Sequence, residues 1–268
     1  MMIWNGRDKK IAYGMRTLVM GIVNLTPDSF SDGGQFDSAD SAVEYALQLV
    51  GDGADILDLG AQSTRPAYTE ITPQEEWERL APVLTKLRAL TDAPISVDTY
   101  FPFVAAKALA AGADIINDVS GNCAADMAAL VREYGAGWVL MHSHEGGADE
   151  AKQFFEKCIT DCNYCGIASS QLCFDPGIGF GKTLQQNIRL LARVKDYKIQ
   201  GYPLLLGFSR KRVIGAISQQ EIPKERLYGN IAADTAAIFG GADILRLHDV
   251  KHEIQGIRAA DALKSSGK

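Results

Sequence analysis

The sequence predicts a single (β/α)8 barrel of the TIM type with a short N-terminal cap, and three observations carry that reading. Eight short runs rich in Val, Ile and Leu recur along the chain, each closing on a polar residue or a glycine. Segments of helix length separate the runs, which is the spacing of repeated βα units with parallel strands. The tetrapeptide GADI begins at Gly53, Gly112 and Gly241, each time after a helical run and before a strand. A helix-closing glycine followed by a short connection to the next strand has this form.

In chain order, residues 1–15 read as the cap over the lower end of the barrel. LVMGIVN follows as the first strand, ending at Asn24. A polar, Gly-containing loop, Thr26–Asp37, leads to the first helix, which Gly53 closes before DILDLG ends at Gly60. The second long loop is Ala61–Thr72; long polar loops on a compact face are usually lids or ligand clamps. Thr72, Pro73 and Glu75 form an N-cap, a first-turn proline and a capping-box partner for a helix through Leu90. PISVD then ends at Asp98, Pro102 opens a helix that stops near Gly112, and DIIND carries Asn117 to the end of strand four. GWVLMH ends at His142. The segment EAKQFFEKCITDCNYCG reads as an amphipathic helix ending at Gly166, with Cys158, Cys162 and Cys165 at i, i+4 and i+7 on one face. QLCFD ends at Asp175, PLLLGFS at Ser209 and DILRLH at His248, with further helices over Arg226–Gly240 and Glu253–Leu263.

At 268 residues the chain has the length of one barrel domain, since such barrels run to roughly 250 residues; one domain is expected over residues 1–268. The net charge of −6 and the absence of a Lys/Arg block argue against a nucleic-acid surface. No apolar stretch is long enough for a membrane span, and the N-terminus lacks the apolar centre of a signal peptide, so a cytoplasmic protein without membrane partners is expected. The odd number of cysteines, five, favours free thiols over a disulfide framework. C-x3-C-x2-C could present thiolates to an iron–sulfur cluster, but the helical pattern favours packing of these small apolar side chains on the barrel.

In such a barrel the C-terminal strand ends converge on one face, so Asp98, Asn117 and Asp175 surround one pocket. Carboxylates beside an amide suit a flat heterocycle that bears an amidine edge. The stretch PGIGFGKT after Asp175 approaches a phosphate-binding loop, but Pro176 occupies the position of its first glycine. Arg210 and Lys211, in GFSRK, and Arg246 and His248, in LRLHDV, bring cations to the same mouth. Residues two apart on a strand share a face, so Arg246 and His248 face together. They can hold an anionic leaving group or lie over an aromatic ring. Lys211 lies beyond its strand and not buried within it, unlike a Schiff-base lysine. His142 and His144 lack a third metal ligand in sequence.

Seven ordered blocks complete the reading: GIVNLTPDSFSDGG (Gly21–Gly34), STRP (Ser63–Pro66), SVDT (Ser96–Thr99), INDVSG (Ile116–Gly121), DPGIGFGK (Asp175–Lys182), SRK (Ser209–Lys211) and RLHDV (Arg246–Val250). This set resembles the dihydropteroate synthase family. The resemblance implies condensation of a hydroxymethyl-dihydropterin pyrophosphate with p-aminobenzoate, in folate biosynthesis, by a homodimer that uses Mg2+. It implies that Asp98, Asn117, Asp175 and Lys211 hold the pterin while Arg246 stacks on its face. Asn24 would take the Mg2+ of the pyrophosphate, with Arg246 and His248 on that anion. Thr64, Arg65 and Pro66, with Phe180, Lys211 and Arg212, would form the p-aminobenzoate side, and Asp98, Lys211, Arg246, Thr64 and Arg65 would carry the catalysis. The chain departs from the family pattern at Gln62, at Phe101 and in MHSHEGGADE. Those departures leave room for a pterin-binding paralogue without synthase activity; a pterin-dependent methyltransferase is the other alternative.

Overall fold

The computed structural model describes residues 1–26, 38–62 and 70–267. Strands β1 (Met2–Gly6) and β2 (Lys9–Tyr13) form an antiparallel hairpin. The remaining strands are β3 (Leu18–Asn24), β4 (Ile56–Gly60), β5 (Ile95–Asp98), β6 (Ile115–Asp118), β7 (Gly137–Met141), β8 (Leu172–Asp175), β9 (Leu205–Leu206) and β10 (Ile244–Leu247). They form one eight-stranded sheet in the order β8-β7-β6-β5-β4-β3-β10-β9, with every pairing parallel. A parallel bridge between Phe174 and Leu204 joins its two edges. The described helices are α1 (Ala39–Asp52), α2 (Pro73–Leu90), α3 (Pro102–Ala110), α4 (Ala125–Tyr134), α5 (Ala148–Tyr164), α6 (Leu184–Ala192), α7 (Val194–Tyr197), α8 (Arg212–Ser218), α9 (Leu227–Gly240) and α10 (Val250–Ser266).

Side-chain alternation along the strands builds the interior in layers. Leu18, Met20, Ile56, Ile115, Val139, Cys173, Leu205 and Ile244 form an apolar plug, and Trp4, Ile11 and Tyr13 of the hairpin join the same buried cluster. The expected cap is therefore this hairpin, held further by Trp4 Nε1 donating to the Gln171 carbonyl at 2.9 Å and the Tyr13 hydroxyl to that of Gly201 at 2.8 Å. Two residues farther along, on the same strand faces, come Asp58 after Ile56, Asn117 after Ile115, Asp175 after Cys173 and Arg246 after Ile244, and Gly207 follows Leu205 just past the end of β9. One step of the strand repeat thus converts an apolar floor into a polar pocket. The larger core lies outside the sheet, where residues such as Leu57, Leu59, Val97 and Ile116 pack with Leu80, Val104, Met127 and Phe155 of the helices.

The GADI repeat has a structural cause. Its glycines adopt φ of 115°, 104° and 106°, the left-handed closure that glycine permits without a Cβ clash. Its aspartates accept backbone N–H bonds from neighbouring strand starts: Asp55 from Val19, Asp114 from Ile95 and Asp243 from Leu204, each at 2.9 Å. A cation answers each carboxylate, from Arg16, Arg88 and Lys198 respectively. The Thr72–Glu75 capping box and Pro73 open α2 as the sequence indicates, and the C-x3-C-x2-C segment is helical, with Cys158 and Cys162 buried. Strand seven is shorter than PLLLGFS suggests. The chain leaves the ladder after Leu206, Lys211 N bonds to the Phe208 carbonyl at 3.0 Å, and Arg210 takes a φ of 59°. A turn replaces the strand end there.

Between α9 and α10, the buried carboxyls of Asp234 and Glu253 face one another, and none of their four oxygens has a hydrogen-bond partner of ordinary geometry among the described residues. Two ionised carboxylates offer no donor to each other, so burial together favours a protonated pair. Burial raises Asp234 to about 7, and burial with the facing Asp234 carboxyl raises Glu253 to about 11. Both values lie above those of the unfolded chain, so this contribution to stability is complete in acid and falls as pH rises through about 7, where Asp234 ionises, and on towards about 11, where Glu253 does. Glu253→Gln supplies a donor without an ionisation penalty. It is expected to flatten thermal stability against pH above neutrality and to exceed the wild type by about 1–3 kcal/mol in mild alkali; parallel melting curves across pH check this.

Candidate active site

Arg246, on β10, reaches across the barrel. Its Nε donates to Asp58 Oδ2 at 2.5 Å and its Nη2 to Asp98 Oδ2 at 2.8 Å. Asn117 Nδ2 donates to the same Asp58 oxygen at 3.2 Å. The register aligns Asn24 with Gly60, Gly60 with Asp98 and Asp98 with Asn117 in one row. A Cβ at Gly60 would stand 3.5 Å from Asp98 Cβ and 3.9 Å from Asn24 Oδ1. The bare glycine therefore leaves space between Asn24 and Asp98.

Across the pocket, Asp175 Oδ1 accepts the Gly177 N–H at 2.7 Å. Lys211 Nζ donates to the Ile178 carbonyl at 2.6 Å and lies 4.3 Å from the centre of the Phe180 ring. Burial lowers Lys211 to about 8, opposed by the nearby Asp175 carboxylate. Burial raises Asp175, opposed by Lys211. It also pushes Asp98 up to about 7, against the pull of Arg246 and with help from Asp58. Burial pulls Arg246 down, yet Asp58 and Asp98 more than offset it and hold it above its ordinary value. Perturbed acids and a perturbed amine converging in one pocket mark a site built for a charged, polar ligand.

The glycine-rich stretch after Asp175 answers a steric demand. A Cβ on Gly177 would stand 2.2 Å from the His142 carbonyl oxygen, and one on Gly181 2.5 Å from that of Ser143. Lys182 Nζ donates to the carbonyls of His142, His144 and Phe180. The GK pair thus anchors one loop over another. His142 is buried, with its imidazole lowered to about 4 by burial, and His144 Nε2 lies 3.1 Å from the Gly121 carbonyl.

Of the residues expected at the site, Asp98, Asn117, Asp175, Lys211 and Arg246 converge, Phe180 contacts Lys211, and Asn24 stands at the end of the strand-end row. His248 lies just beyond β10, its backbone N and Nδ1 at 3.2 and 3.1 Å from Ser209 Oγ. Arg212 follows Lys211 at the start of α8, where it is exposed and borders a surface depression also lined by Gly215, Gln219 and Arg226. Arg210, expected at the mouth, instead pairs with Asp249 at 2.5 and 2.8 Å. Thr64, Arg65 and Pro66, with most of the two long loops, lie outside the described residues. Gln62 is held by Tyr100 and by the Ile71 N–H. The sequence reading omitted Asp58, which is fully buried. Its signal was present, since an aspartate inside DILDLG interrupts an apolar run two residues before the strand end.

The family model described as pterin binding enzyme matches residues 20–248. A dihydropteroate synthase of Synechocystis sp. is 44% identical, over 94% of this chain and 91% of its own. The chain belongs to the dihydropteroate synthase family. A family member from Xanthomonas albilineans, solved with 4-aminobenzoic acid, superposes with a TM-score of 0.87 at 40% identity, covering 93% of this chain and 94% of its own. Another, from Burkholderia cenocepacia and complexed with 7,8-dihydropteroate, gives 0.89 at 33% identity over 99% and 98%. The family's barrel is thus shared over nearly the whole length.

Proposed function

We infer that this chain is a dihydropteroate synthase: it transfers the methylene of a hydroxymethyl-dihydropterin pyrophosphate to the amine of p-aminobenzoate, forming 7,8-dihydropteroate and releasing pyrophosphate. The observation that carries the reading is the ring of Asp58, Asp98, Asn117, Asp175, Lys211 and Arg246 above an apolar plug, in a chain of this family. Asp175 takes the amidine edge of the pterin, Asn117 and Lys211 its remaining polar edge, and Arg246 covers its face. As pyrophosphate departs, positive charge grows on the pterin methylene, and the Asp98 carboxylate stabilises it from a fixed position. Lys211 and Arg246 offer positive charge, and His248 its ring, to the leaving anion. Thr64, Arg65 and Pro66, with Phe180 and Arg212, form the arylamine side.

Asn24 is the residue that would hold Mg2+. Its amide oxygen faces the gap left by Gly60, and one hard oxygen ligand suits an ion that keeps waters and phosphate oxygens. When bound, Mg2+ neutralises the departing pyrophosphate. A homodimer is supported by exposed Tyr228, Phe239 and Leu263 on α9 and α10, and sedimentation at micromolar concentration tests it. Residues 1–268 are read as one domain. The free state of all five cysteines supports a cytoplasmic location, and no described helix is long and apolar enough to cross a membrane.

The decisive experiment supplies purified protein with the pterin pyrophosphate, p-aminobenzoate and Mg2+. Equal amounts of dihydropteroate and pyrophosphate are expected; pterin binding without product would identify a non-synthase paralogue. Gly207 offers a finer check. A Cβ there meets Arg246 Cβ and Cδ at 3.7 Å and Asp175 Oδ2 at 3.9 Å, ordinary contacts that the fold accommodates. Gly207→Ala should keep its melting temperature yet lose about tenfold or more in pterin affinity, about 1.4 kcal/mol, because the methyl occupies ligand space. Unchanged affinity by calorimetry would move the pterin away from Asp175.

A further inference from the structure

Four of the five cysteines lie on two neighbouring segments that the synthase chemistry does not use. Cys123 is half-buried in the loop between β6 and α4, while Cys158, Cys162 and Cys165 lie on or at the end of α5. Cys123 Sγ and Cys162 Sγ are 3.4 Å apart, although 39 residues separate them in sequence. Cys162 is fully buried. Among the described residues no group of three or more His, Cys, Asp or Glu side chains could hold a metal ion, so the cluster is a thiol cluster.

We propose that Cys123 and Cys162 are a peroxide-reactive dithiol, with Cys123 as the thiol that meets the oxidant and Cys162 as the thiol that resolves it into a disulfide. Geometry assigns the two roles. Cys123 is the partly exposed member, and the buried Cys162 sulfur already touches it. The hydrogen bond between them lowers the Cys123 thiol and raises that of Cys162, the order in which Cys123 is the first of the two to give up its proton. Cys158 is buried and pushed up to about 12 by burial, so it stays protonated.

The Cys123 thiolate attacks one oxygen of a hydroperoxide. The O–O bond breaks, Cys123 becomes a sulfenic acid, and the other oxygen leaves as an alcohol, or as water from hydrogen peroxide. The Cys162 sulfur then attacks the Cys123 sulfur, the S–S bond forms, the S–O bond breaks, and hydroxide takes the Cys162 proton and departs as water. Two thiols lose two electrons and two protons, and the peroxide is reduced. The bond ties the loop that follows Asn117 to α5.

The test treats the intact protein with an equivalent of hydrogen peroxide and maps its peptides without reduction. The expected product is a single Cys123–Cys162 link with loss of two titratable thiols, both restored by dithiothreitol. Cys162→Ala should halt the reaction at a Cys123 sulfenic acid that dimedone traps, and Cys123→Ser should give neither link nor adduct. The unmutated protein decides the matter even if a variant fails to fold. A dominant link from Cys123 to Cys158 or Cys165, or over-oxidation of Cys123 with no link, overturns the proposal.

Discussion

Asp175→Ala is expected to abolish measurable pterin binding while the barrel stays folded. The side chain is buried at the end of β8, and its one described hydrogen bond is to the Gly177 N–H, which leaves the second carboxylate oxygen for a ligand. Lys211 is the cation that most favours its charged form. Loss of one partner of a desolvated, charge-assisted pair costs about 2–5 kcal/mol, roughly thirtyfold to several-thousandfold in affinity. Asp175→Asn separates the contributions: its amide oxygen keeps the Gly177 bond, so the turn survives while the charge is lost. Calorimetry with a pterin ligand should show both variants impaired, and circular dichroism should show both folded. Wild-type affinity in Asp175→Ala would place the amidine elsewhere.

Asp58→Ala should damage stability and catalysis together. Asp58 touches no solvent, and its Oδ2 receives both Arg246 Nε and Asn117 Nδ2. Removing one partner of a buried ion pair costs about 3–5 kcal/mol, here with the Arg246 guanidinium left to Asp98 alone. Asp58 acts by positioning Arg246, and a double-mutant cycle reads that role. If it holds, Arg246→Met should cost far less in kcat/KM in an Asp58→Asn background than in the wild type, with a coupling of about 1–3 kcal/mol. Additive losses would reduce Asp58 to a structural residue. A lower melting temperature alone does not separate the two cases; the coupling in kcat/KM does.

Much of this site was legible in the chain because its information is local. Asp98, Asn117 and Asp175 stand where apolar runs end, and strand ends in a barrel meet at one face whatever the details of packing. Asp58 was less visible, because an aspartate inside a run reads as an interruption until its partner is known. Arg210 shows the opposite failure. It sits beside Lys211 in sequence, yet the turn at Phe208–Lys211 sends it to Asp249. Adjacent residues in a turn have no shared direction, unlike alternate residues in a strand.

The sequence by itself determined the order of the eight barrel strands, the capping box at Thr72, the left-handed glycines of the GADI repeat and the polar residues at the strand ends. These follow from short-range sterics, side-chain alternation and hydrogen bonds between near neighbours. Only the tertiary structure decided that Arg246 joins Asp58 and Asp98, across 188 and 148 residues, that the hairpin seals the apolar plug, and that Cys123 meets Cys162. Such pairings depend on closure of the barrel, because a charge or a thiol finds its partner through space and its own sequence neighbours carry no record of the distance.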